Sequence, residues 1–353
     1  MKHCTLLLVL ILPIFLFSCS GDAAHKSFAD ADFELRNGNI AQARTLLEKA
    51  TQEDQNFAQA FHALGTVYYT QGEFEKAIEM LRKSVELRND NPNALTMLGN
   101  AYGKTGKFAD AKEAYSKAIS MHPQDAALTA NLASTQVNLG AFPQAVELYR
   151  KAIELNPTDP EPYYNLGNTL GRNKQFEDAL KAYRGATQLN PRYAEAWLYM
   201  GITYAKMGQD DMARFALQRA ATINPEMPVG YKYLSEICRR KGENAQADNY
   251  QGLMLAQTGK IEQSLELFLQ AQKGNPAFAE AWYNAGIAYA TLNDKAKAQA
   301  QFEKTIALQP DFVGAYRQLS VLYAQNGLLE KAGEADKKAV ELENKLQFSQ
   351  KLK

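Results

Sequence analysis

The side chains able to do covalent or metal chemistry in this 353-residue chain are few and scattered. Beyond the first twenty residues it holds three histidines, His25, His62 and His122, and one cysteine, Cys238. The histidines stand far from one another and from any cysteine, so neither a zinc-type ligand set nor a histidine-activated nucleophile takes shape. Cys238 falls at an apolar position of its segment, the place of a packed thiol rather than an attacking thiolate. Residues 99–105, GNAYGKT, have the residue types of a phosphate cradle. They hold one residue too few between the glycines, and they lie inside a helical pattern whose amides are already bonded. Lys plus Arg and Asp plus Glu both number 39, so there is no excess charge to attract nucleic acid. The sequence therefore predicts no enzyme, no metal, no cofactor, no nucleotide and no nucleic-acid partner.

Residue types that promise a modification lie near the start. Residues 6–17 form an apolar run behind Lys2 and His3, and the run stops at Ser18, Cys19 and a polar SGD. It is shorter than the about 20 residues that span a bilayer as a helix. A charged start, a brief apolar stretch and a small residue are the layout of a secretory signal peptide. The residues LFSC resemble the lipobox of bacterial lipoproteins; Leu16 and Ser18 match it and Phe17 departs from it. The resemblance implies a signal peptide over 1–18, acyl chains on Cys19 that attach the chain to a membrane, and a linker over 19–26. It places the chain in a bacterial cell envelope, and Ser20, where inner-membrane retention favours Asp, points to the outer membrane facing the periplasm. The alternative is a secreted protein in which Cys19 is incidental. With Cys4 removed and Cys19 lipidated, Cys238 has no partner for an intramolecular disulfide.

The elements that must position any binding side chain come from an internal repeat of 34 residues. Trp197, Gly201, Tyr204, Ala213, Leu217 and Pro225 recur as Trp282, Gly286, Tyr289, Ala298, Phe302 and Pro310. Apolar residues at i, i+3 and i+7 make one helix face, and small residues let two antiparallel helices approach. Gly208 and its equivalents Gly72, Gly106, Gly140 and Gly242 stop the first helix of each pair. The pattern resembles the tetratricopeptide repeat, a helix-turn-helix unit. That implies an all-α fold, a right-handed superhelical solenoid of about nine units plus one half-unit, since a single hairpin cannot bury its apolar face alone. Units fall at 24–57, 58–91, 92–125, 126–159, 160–193, 194–227, 245–278, 279–312 and 313–346. Asp30 and Glu34 in the first and Asp336 in the last replace apolar residues, as solvent-facing caps would.

Residues 228–244 supply a first helix with no second. The helix after them must partner both its neighbours, although Asp248 and Gln251 stand where apolar residues belong. This odd helix breaks the alternation of inner and outer helices and divides an N-terminal array, 27–241, from a C-terminal array, 242–346, before a tail at 347–353.

In tetratricopeptide arrays the first helix of each unit lines the concave groove, through positions 2, 5, 6, 9, 12 and 13. Position 6 reads Asn131, Asn165, Tyr199, Tyr233, Tyr250, Asn284 and Gln318; position 9 adds Asn100 and Asn168, and position 5 adds Tyr164 and Tyr283. Amides carry both donor and acceptor, which suits the backbone of an extended peptide, and tyrosine adds flat apolar area. The row resembles the asparagine ladder of peptide-holding members of the family; hydrated consensus side chains are the alternative. Position 13 holds Lys104, Arg172, Lys206 and Arg240, a stripe for carboxylates or compensation of helix dipoles in last turns. The two-carboxylate clamp of chaperone-binding relatives is unmatched, since Thr96 and Glu161 stand where it needs lysines. The resemblance to tetratricopeptide lipoproteins of bacterial outer membranes implies a lipid-anchored scaffold that holds protein or peptide segments and assists assembly of an envelope complex of pilus or secretion type. The alternatives are a structural spacer or an accessory subunit of a glycosyltransferase.

Overall fold

The computed structural model describes the backbone over residues 12–351 and the side chains over residues 22–345. Most of the leader and the side chain of Cys19 lie outside the described residues. Nineteen helices follow one another, with no strand among the described residues. The chain is all-α and forms two compact units, residues 1–175 and 176–353.

Unit 1 contains α1 (Leu12–Arg36), α2 (Ile40–Glu53), α3 (Ala58–Thr70), α4 (Phe74–Leu87), α5 (Pro92–Lys104), α6 (Phe108–Met121), α7 (Ala126–Asn138), α8 (Phe142–Leu155) and α9 (Pro160–Arg172). Successive pairs pack as hairpins, and each second helix also packs on the next first helix. The close approach within a pair needs glycine. A Cβ on Gly65 would sit 2.6 Å from Leu81, and one on Gly99 would sit 2.6 Å from the ring of Tyr115. Asn91, Asp125 and Asp159 cap α5, α7 and α9 by accepting hydrogen bonds from first-turn amides. Each hairpin turn needs a residue with positive φ, which Gly72, Gly106 and Gly140 supply at 78°, 75° and 76°. Lys174 and, in unit 2, Asn293 take the same turn conformation without being glycine.

Unit 2 contains α10 (Phe176–Leu189), α11 (Ala194–Lys206), α12 (Asp210–Ile223), α13 (Pro228–Arg240), α14 (Asn244–Gln257), α15 (Ile261–Gly274), α16 (Ala279–Thr291), α17 (Lys295–Leu308), α18 (Val313–Gln325) and α19 (Leu329–Lys351). Here α14 packs as a hairpin with both α13 and α15, the double role that the odd segment predicts. The array boundary read at residues 241 and 242 falls inside unit 2, just ahead of α14. Towards α15, Gly252 does what the other glycines do: a Cβ there would sit 2.5 Å from Phe268. Towards α13, the Ser235 hydroxyl donates to the Ala247 carbonyl at 2.8 Å. The final hairpin repeats that contact, with Ser320 donating to the Ala332 carbonyl at 3.0 Å. Two faces on one helix leave little room for apolar economy, and Asp248 and Asn249 are both buried. Asp248 pairs with Arg239 at 3.3 Å, yet burial raises its carboxyl above the ordinary value.

The Asp336 side chain is 51% exposed, as a solvent-facing cap would be, and it also pairs with Arg317, which bonds Glu343 at 2.7 and 3.2 Å. This ion cluster replaces the apolar plug of other hairpins.

Candidate protein-interaction face

The residues singled out on the first helices have different neighbours, and those neighbours sort them. At position 9, Asn100 accepts a hydrogen bond from the Tyr115 hydroxyl at 2.6 Å through Oδ1. The next unit repeats the pair, with the Ser134 and Tyr149 hydroxyls 2.7 Å apart. Both tyrosines are buried, and burial pushes Tyr115 up to about 12, so a neutral phenol must find an acceptor on the facing helix. The Asn100 carbonyl is therefore spent inside its own hairpin. The sequence pattern missed this because the two partners lie on different helices, although the spacing of 15 residues between them recurs.

Position 6 in unit 1 is different. Asn131 on α7 and Asn165 on α9 are half-buried, and neither side-chain amide has a hydrogen-bond partner within the protein. Each keeps a donor and an acceptor. Tyr164 and Asn168, also on α9, are half-buried and already engaged.

In unit 2 Tyr199 is 41% exposed on α11 and Tyr233 is half-buried on α13. Tyr250 is turned towards α12 and α13 instead: its ring stacks on Tyr231 at 6.4 Å, and its hydroxyl accepts from Gln218 Nε2 at 3.1 Å. Tyr283 is packed between Phe302 and Phe312, with ring centroids 5.7 and 4.8 Å away, and burial raises its hydroxyl above the ordinary value. Asn284 Nδ2 donates to Asn249 Oδ1 at 2.9 Å, joining α16 to α14.

The cationic positions also separate. Arg240 bonds Asp210 at 2.5 and 3.1 Å, so its charge is balanced by α12. The Arg172 guanidinium lies over the Phe142 ring at 5.1 Å. Lys104 and Lys206 are exposed. Cys238 is buried, and burial pushes its thiol up to about 11, which disfavours the thiolate. Among the described residues no group of three His, Cys, Asp or Glu side chains stands close enough to hold a metal ion.

Models of the tetratricopeptide repeat match residues 96–160, 148–181, 194–227 and 279–312, and a model described as TPR repeat matches 65–106 and 172–208. The matched ranges are continuous over 65–227 and resume at 279–312. No curated protein matches the chain. Among solved structures, PilF of Pseudomonas aeruginosa is 21% identical, with a TM-score of 0.51 over 62% of this chain and 99% of that one. The C-terminal part of a TPR repeat-containing protein from Cytophaga hutchinsonii is 20% identical, with a TM-score of 0.49 over 80% of this chain and 95% of that one. MamA of Desulfovibrio magneticus RS-1 is 19% identical, with a TM-score of 0.47 over 49% of this chain and 98% of that one.

Proposed function

This chain belongs to the tetratricopeptide repeat family, a protein-interaction scaffold, and from that premise we propose that it holds extended protein segments along the first helices of unit 1 without catalysing a reaction. The observation that carries the reading is the pair of unspent amides, Asn131 and Asn165, at the same position of successive first helices. Each can accept a backbone N–H and donate to a backbone carbonyl, so the pair recognises the peptide chain rather than its side chains. The lipobox-like residues around Cys19 supply the setting: an acylated protein of the bacterial outer membrane, facing the periplasm, that helps an envelope complex assemble. Acyl chains beyond the first hold a protein far more firmly than one, since a single myristoyl chain binds with only about 10⁴ M⁻¹.

Affinity capture from detergent-solubilised envelope tests the binding, with wild type compared against the variant Asn131→Ala, Asn165→Ala. Even one hydrogen bond lost at each of the two amides, at about 0.5–1.5 kcal/mol, sums to about 1–3 kcal/mol, or five- to roughly 150-fold in affinity, and loss of both bonds at each would double that free energy. Loss of a partner on this variant supports the reading. An unchanged set of partners refutes it in favour of a structural spacer. Cys19→Ala tests the anchor, and retention in the membrane fraction equal to wild type rules it out.

A further inference from the structure

In unit 1, neighbouring second helices are joined by side chains that lie away from the first-helix positions of the groove. Between α2 and α4 the junction is complete. The Arg44 guanidinium bonds Glu48 at 2.8 Å and Glu73 at 2.7 Å, Lys76 bonds Glu73 at 2.6 Å, and the Tyr68 hydroxyl donates to Glu48 at 2.8 Å. Two cations meet two carboxylates, so the four charges cancel. Arg44 bridges the carboxylates with its guanidinium 4.9 Å from the Tyr68 ring.

One repeat on, between α4 and α6, the signs are reversed. Glu48 becomes Arg82, Glu73 becomes Lys107 and Lys76 becomes Asp110, while Tyr68 returns as Tyr102. The bridging member does not reverse with them, because Arg44 becomes Ile78 rather than an acid. The junction therefore carries one uncancelled positive charge. Among the described residues Lys107 and Asp110 have no ion-pair partner and the Tyr102 hydroxyl has no hydrogen-bond partner. Arg82 meets Glu86 only at 3.9 Å, with side chains 61% and 60% exposed, a surface pair worth little. A cleft of about 540 Å³ opens over these groups, with Ile78, Val85, Leu95 and Leu98 as its apolar wall. Glu113 and Lys117 also line it but pair with each other at 3.1 Å. Burial raises Tyr102 above the ordinary value, so its phenol keeps a proton to donate. Between α10 and α12 the equivalent arginine, Arg184, reaches the phenol of Tyr204 itself at 3.5 Å, and the turn residue is the neutral Gln209, so no second cation stands there.

We infer that the cleft between α4 and α6 binds a small monocarboxylate with an apolar body, its carboxylate bridging Arg82 and Lys107 as Arg44 bridges Glu48 and Glu73 with the signs exchanged. One negative charge completes the junction. The Tyr102 hydroxyl donates to that carboxylate as Tyr68 donates to Glu48. The body of the acid covers Ile78, Val85, Leu95 and Leu98, which favours a hydrocarbon acid over the side chain of an acidic peptide, whose carboxylate carries only one or two methylenes. The site lies on second helices and owes nothing to the amides of Asn131 and Asn165.

The probe is octanoate, titrated into the purified chain and followed by ligand-observed NMR, with octanamide as its uncharged counterpart and N-acetylglutamate amide as the mimic of an acidic peptide. Octanoate should bind saturably and weaken as salt is added, and each of the other two should bind about fivefold more weakly or worse. Arg82→Gln and Lys107→Gln should each weaken octanoate by about fivefold or more. Lys107→Glu, which puts a carboxylate at this junction as Glu73 does at the one before, should abolish binding. Arg82 and Lys107 are both exposed, so these substitutions leave the packed core intact. The Asn131→Ala, Asn165→Ala variant should bind octanoate like wild type, whatever becomes of the peptide reading. The inference is overturned if octanoate does not bind, if octanamide or N-acetylglutamate amide binds as tightly, or if the Arg82 and Lys107 variants bind it undiminished.

Discussion

Two hairpins built on one plan differ at a single contact. In α5 and α6, Gly99 admits the ring of Tyr115, whose hydroxyl reaches Asn100. In α16 and α17, Gly286 admits the ring of Phe302 at the same distances to within 0.1 Å, and the residue in Asn100's place is Ile287. The ring oxygen decides what the first helix must offer: an acceptor where there is a hydroxyl, a hydrocarbon where there is none. Part of the polarity of the unit 1 face thus serves the hairpin itself, and the apolar residues Leu253 and Ile287 at the same position of α14 and α16 are the counterpart of Phe268 and Phe302. A polar row along a repeat array is therefore evidence of binding only at residues that the hairpin leaves unspent.

The largest effect that can break this comparison is removal of the ring. Phe302 is completely buried, so Phe302→Ala should cost about 3–5 kcal/mol in a urea titration. A loss below 1 kcal/mol would mean that the ring does not hold α16 to α17. Adding the missing oxygen comes next. Phe302→Tyr should cost about 1–3 kcal/mol, because its hydroxyl would face Ile287 unpaired. Adding Ile287→Asn to it should recover most of that loss, and no recovery would break the rule that pairs the two positions.

The reverse exchange is smaller. Tyr115→Phe should cost about 0.5–1.5 kcal/mol, and in a double-mutant cycle with Asn100→Ala the two losses should fall short of additive. Additive losses would show that the two side chains act independently. The smallest effect is at Asp248. Burial raises its carboxyl, so the protonated form is favoured in the folded chain and stability falls as pH rises through the raised value. Thermal melts of wild type and Asp248→Asn should coincide below the ordinary aspartate value, about 3.9, and diverge above the raised one in favour of Asn. A variant less stable than wild type at neutral pH would show that the Arg239 pair outweighs the burial.

Much of the fold was legible in the sequence because packing of neighbouring helices is local in repeat arrays. The glycines at the turns, the small residues facing bulky ones and the odd helix at residues 244–257 each lie within one or two units of what they touch. The candidate face was legible only in outline. Asn131 and Asn100 look alike in the sequence, yet one amide is open and the other is bonded. Arg240 and Lys206 share a position, but Asp210 neutralises only the first. Such differences depend on partners 15 to 30 residues away on another helix.

By itself the sequence determined the period, the hairpin unit and the place where the alternation fails, because each follows from the size and polarity of residues at fixed spacing. Tertiary structure alone decided which polar groups remain free to bind and which a facing helix has already engaged. Both depend on the angle at which one helix presents a side chain to the next, and on whether a facing group has already satisfied it.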